Sequence, residues 1–227
     1  ITDESWRTHP SPNKLIGNWD FSSGGYGGEI WDANREINGW NLSNYNDQSW
    51  KKATVYSPKL KLSAQRVETN KLFREIQPVS IEKRSDGSYR VDMGVNFAGW
   101  TQIHVKGNSG DTVRFLFSER EQNDMTFGLH NAFVIGPAGE GIFRNRFNYS
   151  SGRWITIIGL KSEPRKEDIK GWNVRTDYKN ATTFECSDDL QNWIYKTIRW
   201  TFENLTLGGY VVDCPQRERL GYGGDAH

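Results

Sequence analysis

With 29 lysines and arginines against 28 acidic residues in 227, the chain carries a formal net charge of +1 and makes no electrostatic case for binding nucleic acid. Its mean hydropathy of −0.76 and the lack of any apolar run near ~18 residues exclude a helical membrane span. Two cysteines, Cys186 and Cys214, cannot build a disulfide framework and read as free thiols.

A chain of this length can bury a substantial core in one or two domains. Residues 1–64 mix turns with isolated aromatics, Trp6, Trp19, Tyr26, Trp31, Trp40 and Trp50. These are expected to be core aromatics of a small β-domain rather than a sugar-binding surface.

From 65 to 176 the hydrophobic period is two. Ile81 and Val91 lie on runs flanking Ser85-Asp86-Gly87, a hairpin signal. Trp100–Val105, Thr112–Phe117 and Trp154–Ile158 continue the series, separated by glycine-containing turns. Short strands at this spacing predict a β-sandwich. His104 alternates with Ile103 and Val105 and is expected to face solvent. His9, His104 and His130 lack metal-ligand spacing, so no metal or cofactor is assigned. Residues 120–131 break the alternation and form the longest polar loop of the sandwich, read as plain surface, with reach to an active site as the less favoured alternative.

Near 177 the period changes. Ser187-Asp188-Asp189 supplies a helix cap and an acidic first turn. Leu190, Trp193, Ile194, Ile198, Thr201, Phe202 and Leu205 follow at helical spacing, and Gly208-Gly209 is expected to stop the helix. Sequons occur at Asn41, Asn148, Asn180 and Asn204, the last inside the predicted helix, and matter only in a secreted eukaryotic protein.

A short extended run, Tyr210-Val211-Val212, then delivers Asp213-Cys-Pro-Gln-Arg-Glu218-Arg-Leu-Gly-Tyr222-Gly-Gly-Asp225-Ala. Pro215 and the glycines at 221, 223 and 224 forbid a continuous helix. Carboxylates on a loop beside an aromatic suit a sugar, since acids bind hydroxyls or move protons and a ring covers an apolar face. This string resembles the signature at the start of the catalytic domain of bacterial α-L-rhamnosidases, glycoside hydrolase family 78. It departs by lacking an acidic residue between Arg217 and Glu218, and by Tyr222 where many members carry Trp.

The resemblance implies mostly β architecture: β-sandwich or jelly-roll domains followed by the first helix and loop of an (α/α)6 barrel. Glu29 to Trp50 is similar to the family's accessory β-domain, here 1–64. Asp92 to Trp100 and Arg144 to Leu160 are similar to its second β-domain, here 65–176, leaving 177–227 as the start of the barrel. It further implies inverting release of terminal α-L-rhamnose, with Glu218 as general acid and a base from later in the barrel. Asp213 and Asp225 would bind rhamnose hydroxyls, Arg217 would balance charge, and Tyr222 would pack on the sugar.

The expected partners are a carbohydrate substrate of the rhamnoside class and the remainder of the chain's own barrel, with no nucleic acid and no membrane span. The chain reads as a fragment, inactive alone. The compartment stays open between periplasmic or extracellular and cytoplasmic in a bacterium. Two other readings stand beside this one, a non-catalytic carbohydrate-binding β-module and an (α/α)6 glycosidase acting on another sugar.

Overall fold

The computed structural model describes residues 3–17, 25–217 and 219–221. Strands β1 (Arg7–Thr8), β2 (Asn13–Ile16), β3 (Gly28–Asp32) and β4 (Lys51–Lys52) come from the first 64 residues. Then follow β5 (Asn70–Ile76), β6 (Ser80–Lys83), β7 (Tyr89–Lys106), β8 (Thr112–Ser118) and β9 (His130–Val134). The run continues with β10 (Glu140–Arg144), β11 (Ser150–Ile158) and β12 (Ile169–Thr176). Helix α1 (Asp189–Leu205) precedes a small hairpin of β13 (Thr206–Leu207) and β14 (Tyr210–Val211). The described chain is thus mostly β with one α-helix.

The sandwich is a single curled sheet of ten strands, whose path runs β2-β3-β9-β8-β11-β7-β12-β5 with β6 and β10 also on β7. The 18-residue β7 makes this possible. Its first half lies between β6 and β11, and its second half lies between β10 and β12. At the changeover the ladder to β11 skips from Asp92 to Phe97. Gly94 sits there at φ +75°, which glycine adopts without steric penalty.

The curl turns the apolar side of each strand inward. Val91 and Ile103 of β7, Val113, Phe115 and Phe117 of β8, Phe133 of β9 and Ile155 and Ile157 of β11 are buried in one cluster. Phe143 of β10 closes onto Phe115, ring centroids 5.1 Å apart. Segment 1–64 adds to this sheet through β3, which pairs parallel with β9 at Ile30↔Ala132. Its aromatics are not all core: Tyr26 is buried, whereas Trp6 and Trp40 are exposed. With only short strands around them, these rings have too little sheet to bury them. Trp19 lies outside the described residues.

Gly99 marks the tightest approach in the sheet. A Cβ added there would stand 1.8 Å from the main-chain oxygen of Trp172 on β12. Gly99→Ala must therefore part β7 from β12, and we expect a loss of about 2–3 kcal/mol in a denaturant titration. An unchanged midpoint would show that the two strands can yield.

Asp188 caps α1, accepting from the main-chain N–H groups of Leu190 and Gln191. The helix ends before the predicted stop. Thr206 turns extended, and its hydroxyl and N–H both go to the Phe202 carbonyl. Gly208 and Gly209, both at positive φ, instead form the two-residue turn between β13 and β14. Their N–H groups are held by the side chains of Asn70 and Thr176, which fastens the hairpin to the sheet.

Polar contacts also dock α1 on the sheet. Trp200 Nε1 donates to the Asn96 carbonyl at 2.8 Å, and the Ala98 N–H donates to Asn204 Oδ1 at 2.9 Å. Leu190, Trp193, Ile194 and Ile198 stay exposed. Among the described residues no helix is long and apolar enough to cross a membrane.

Candidate functional site

The candidate site is the loop that leaves β14. Val212 is buried, and its N–H reaches back to the Leu205 carbonyl at 2.8 Å. Asp213 begins the loop, and its N–H donates to Leu220 O at 2.9 Å, closing 213–220 at its neck. Pro215 lies just beyond, and an Arg217 N–H to Cys214 O bond of 3.1 Å makes the first turn.

This folding brings Asp213 and Arg217 together as an ion pair of 3.5 Å, both partly exposed. Arg217 also donates to Cys214 Sγ at 2.8 Å. Burial nevertheless holds the Cys214 thiol above its ordinary pKa, so it is no ready nucleophile. Glu218, Tyr222 and Asp225 lie outside the described residues.

A ring also reaches the site from the loop between β8 and β9. Arg217 stands over Phe127, 5.7 Å from the ring centroid. Phe127 belongs to loop 120–131, for which plain surface is the favoured expectation and reach to the active site the alternative. That loop is instead folded back on β8, with Thr126 N–H on Phe117 O and Phe117 N–H on Leu129 O. Leu129 is fully buried and pins the loop down. Met125, Phe127 and Leu129 are spaced alike in the run, and nothing local says that only Leu129 goes inward.

Arg219 is the residue whose role the sequence least suggests. It is 9 % exposed, at φ +57°, a left-handed conformation unusual for anything but glycine. Nε donates to the Pro215 carbonyl at 2.8 Å, within the loop. Nη1 donates to Asn148 Oδ1 at 2.6 Å and Nη2 to the Tyr149 carbonyl at 2.8 Å, both in the turn before β11. The guanidinium lies 3.9 Å from the Tyr149 ring centroid. Burial lowers the Arg219 pKa and pushes the Tyr149 phenol up to about 12.

Asn148 is therefore no glycan acceptor in the folded chain, since its side chain is buried and engaged. Behind it stands Glu29, wholly buried on β3. Its carboxylate accepts from the main-chain N–H groups of Arg146, Phe147 and Asn148 at 2.7–3.1 Å, and from the Asn13 amide at 2.7 Å. Nothing in the spacing of Glu29 announces burial, although it sits in a segment that resembles the family.

Among the described residues the histidines lie outside this cluster. His104 is half-buried between Asp168 and Glu140, each 3.4 Å away. The Arg165 guanidinium holds the Asp168 carboxyl at about 2. Among the described residues no group of three or more His, Cys, Asp or Glu could hold a metal ion.

Comparison with known proteins places this loop in a family context. Residues 179–227 match the bacterial α-L-rhamnosidase 6 hairpin glycosidase domain. Residues 82–175 match the bacterial α-L-rhamnosidase concanavalin-like domain, and 1–74 the α-L-rhamnosidase N-terminal domain. A curated α-L-rhamnosidase of Formosa agariphila is 32% identical over the whole chain, which covers 24% of that protein. The solved α-L-rhamnosidase of Dictyoglumus thermophilum aligns over 99% of this chain and 26% of its own, at 31% identity and TM-score 0.88. That of Aspergillus terreus aligns over 100% and 26%, at 26% identity and TM-score 0.84. The chain spans about a quarter of the length of the proteins it matches. With three successive domains of one family matched in order, the chain belongs to the bacterial α-L-rhamnosidases.

Proposed function

We propose that this chain is part of an enzyme releasing terminal α-L-rhamnose from glycosides or polysaccharides with inversion of configuration. The observation that carries this reading is the closed 213–220 loop, lying within the stretch that matches the glycosidase domain and setting Asp213 against Arg217. Glu218 serves as general acid, Asp213 and Asp225 bind sugar hydroxyls, Arg217 balances their charge, and Tyr222 covers an apolar sugar face. Inversion requires a second carboxylate roughly 6.5–9.5 Å from the acid to activate water. That base comes from elsewhere in the full-length protein, as do the groups that bury Glu218 enough to keep it protonated.

The full-length protein is expected to hydrolyse an aryl α-L-rhamnoside and release the inverted anomer first, as followed by NMR. Residues 1–227 alone should show no turnover. Retention of configuration, or full activity of the 227 residues, would overturn the reading.

The three-part division of the chain, 1–64, 65–176 and 177–227, goes with this proposal. It is supported by family matches that change near the same positions.

A second reading, non-catalytic carbohydrate binding, has one observation in its favour. An open groove of about 580 Å³ is lined by Trp31, Trp40, Trp50 and Phe147, with Trp40 and Phe147 well exposed. Polysaccharide binding that survives removal of 177–227 and is lost in Trp40→Ala would favour it.

A further inference from the structure

We propose that the curled sheet is part of the catalytic machinery, because a buried relay, Glu29–Asn148–Arg219, positions the loop that carries the acid. This rests on the reading of Glu218 as the general acid.

Arg219 follows Glu218 directly in the chain, so the contacts of Arg219 tie down the loop next to the acid. Its guanidinium spans two bodies at once. Nε holds the Pro215 carbonyl of its own loop, while Nη1 and Nη2 hold Asn148 and Tyr149 of the sheet. A planar fork can serve three acceptors in fixed directions, which a lysine ammonium on a flexible stem cannot. The left-handed backbone at Arg219 is strained for a residue with a side chain and persists only where its surroundings over-determine it.

The far end of the relay is equally fixed. Asn148 Oδ1 accepts from both Arg219 and the Tyr149 N–H, so its orientation is set from two sides. The Asn148 N–H is held at 2.7 Å by Glu29, which grips the whole 146–148 turn from β3. The loop's position is thereby referred to the sheet core rather than to solvent. Asn148 and Arg219 are positioning residues and touch no substrate in this proposal.

The test uses the full-length enzyme with Asn148→Ala, Asn148→Asp, Arg219→Lys and Glu218→Gln, on one rhamnoside with a poor leaving group and one with an activated aryl leaving group. A misplaced acid should act like a weakened acid. Asn148→Ala and Arg219→Lys should lower kcat on the poor leaving group by on the order of 10–10²-fold, with little change in KM or on the activated substrate. Asn148→Asp, which keeps the acceptor, should retain most of the rate. Added to Glu218→Gln, Asn148→Ala should cost little more, since both act through one group.

Equal loss on both substrates, or full additivity with Glu218→Gln, would overturn the relay while leaving the acid in place. If Glu218→Gln itself shows no leaving-group dependence, the acid assignment fails first and takes the relay with it. A folded Asn148→Ala enzyme with normal rates on both substrates would also overturn it.

Discussion

Glu218→Gln in the full-length enzyme is expected to slow hydrolysis of a rhamnoside with a poor leaving group by on the order of 10²–10⁴-fold. Glutamine keeps the size and most hydrogen bonding of the acid but has no proton to give a departing alcohol. An activated nitrophenyl or fluoride leaving group departs as an anion and should lose far less. If they bind sugar hydroxyls as proposed, Asp213→Asn and Asp225→Asn should behave differently, because such contacts strengthen in the transition state whatever leaves. For Asp213 the ion pair with Arg217 adds a second consequence, since the variant removes the charge of that pair. The measurement is kcat/KM for all three variants on both substrates. If Glu218→Gln slows both equally and one aspartate variant shows the dependence, that aspartate is the acid.

Glu29→Ala is expected to destabilise the chain by on the order of 3–5 kcal/mol in a denaturant titration. The carboxylate is wholly buried and satisfies three successive main-chain N–H groups at 146–148. Removing it leaves the buried Asn148 donor and the two part-buried ones without their acceptor, a buried donor so left costing ~1–3 kcal/mol. Glu29→Gln should fall between, since one amide oxygen remains but an NH₂ group is turned toward other donors. A loss for Glu29→Ala below ~1 kcal/mol would mean the turn finds water or other acceptors when the carboxylate is gone.

Much of the sheet could be read directly from side-chain alternation. The hairpin about Ser85-Asp86-Gly87 and the strands at 112–117 and 154–158 follow from period two, and each puts its apolar face into the core. What alternation could not supply is that Tyr89–Lys106 is one strand serving two pairs of neighbours. Its glycines at 94 and 99 look like turn residues until the kink and the close approach to Trp172 are seen.

The helix was legible from its cap and spacing, but its end was not. Gly208-Gly209 fits a helix stop and a tight hairpin equally well, and only the hydrogen bonds to Asn70 and Thr176 decide between them. For the site, the motif named Asp213 and Arg217, and the fold sets them side by side. Arg219, Asn148 and Glu29 could not be found in this way. Each acts by satisfying buried groups more than 70 residues away in the chain, and no local pattern records that.

The parallel pairing of β3 with β9 has a kinetic consequence. Glu29 meets Asn131 across 102 positions of sequence, and Asn148 across 119. The hairpins of β6 with β7 and β8 with β9 need only short loops and can close early. Residues 28–32 must wait, because closing so long a loop loses chain entropy before any contact repays it. During synthesis the segment around Glu29 therefore leaves the ribosome with its binding groove not yet made, and must wait undocked until residues 130–148 follow. A chain halted before residue 130 would lack β9 and leave the edge of β3 open to a neighbouring molecule.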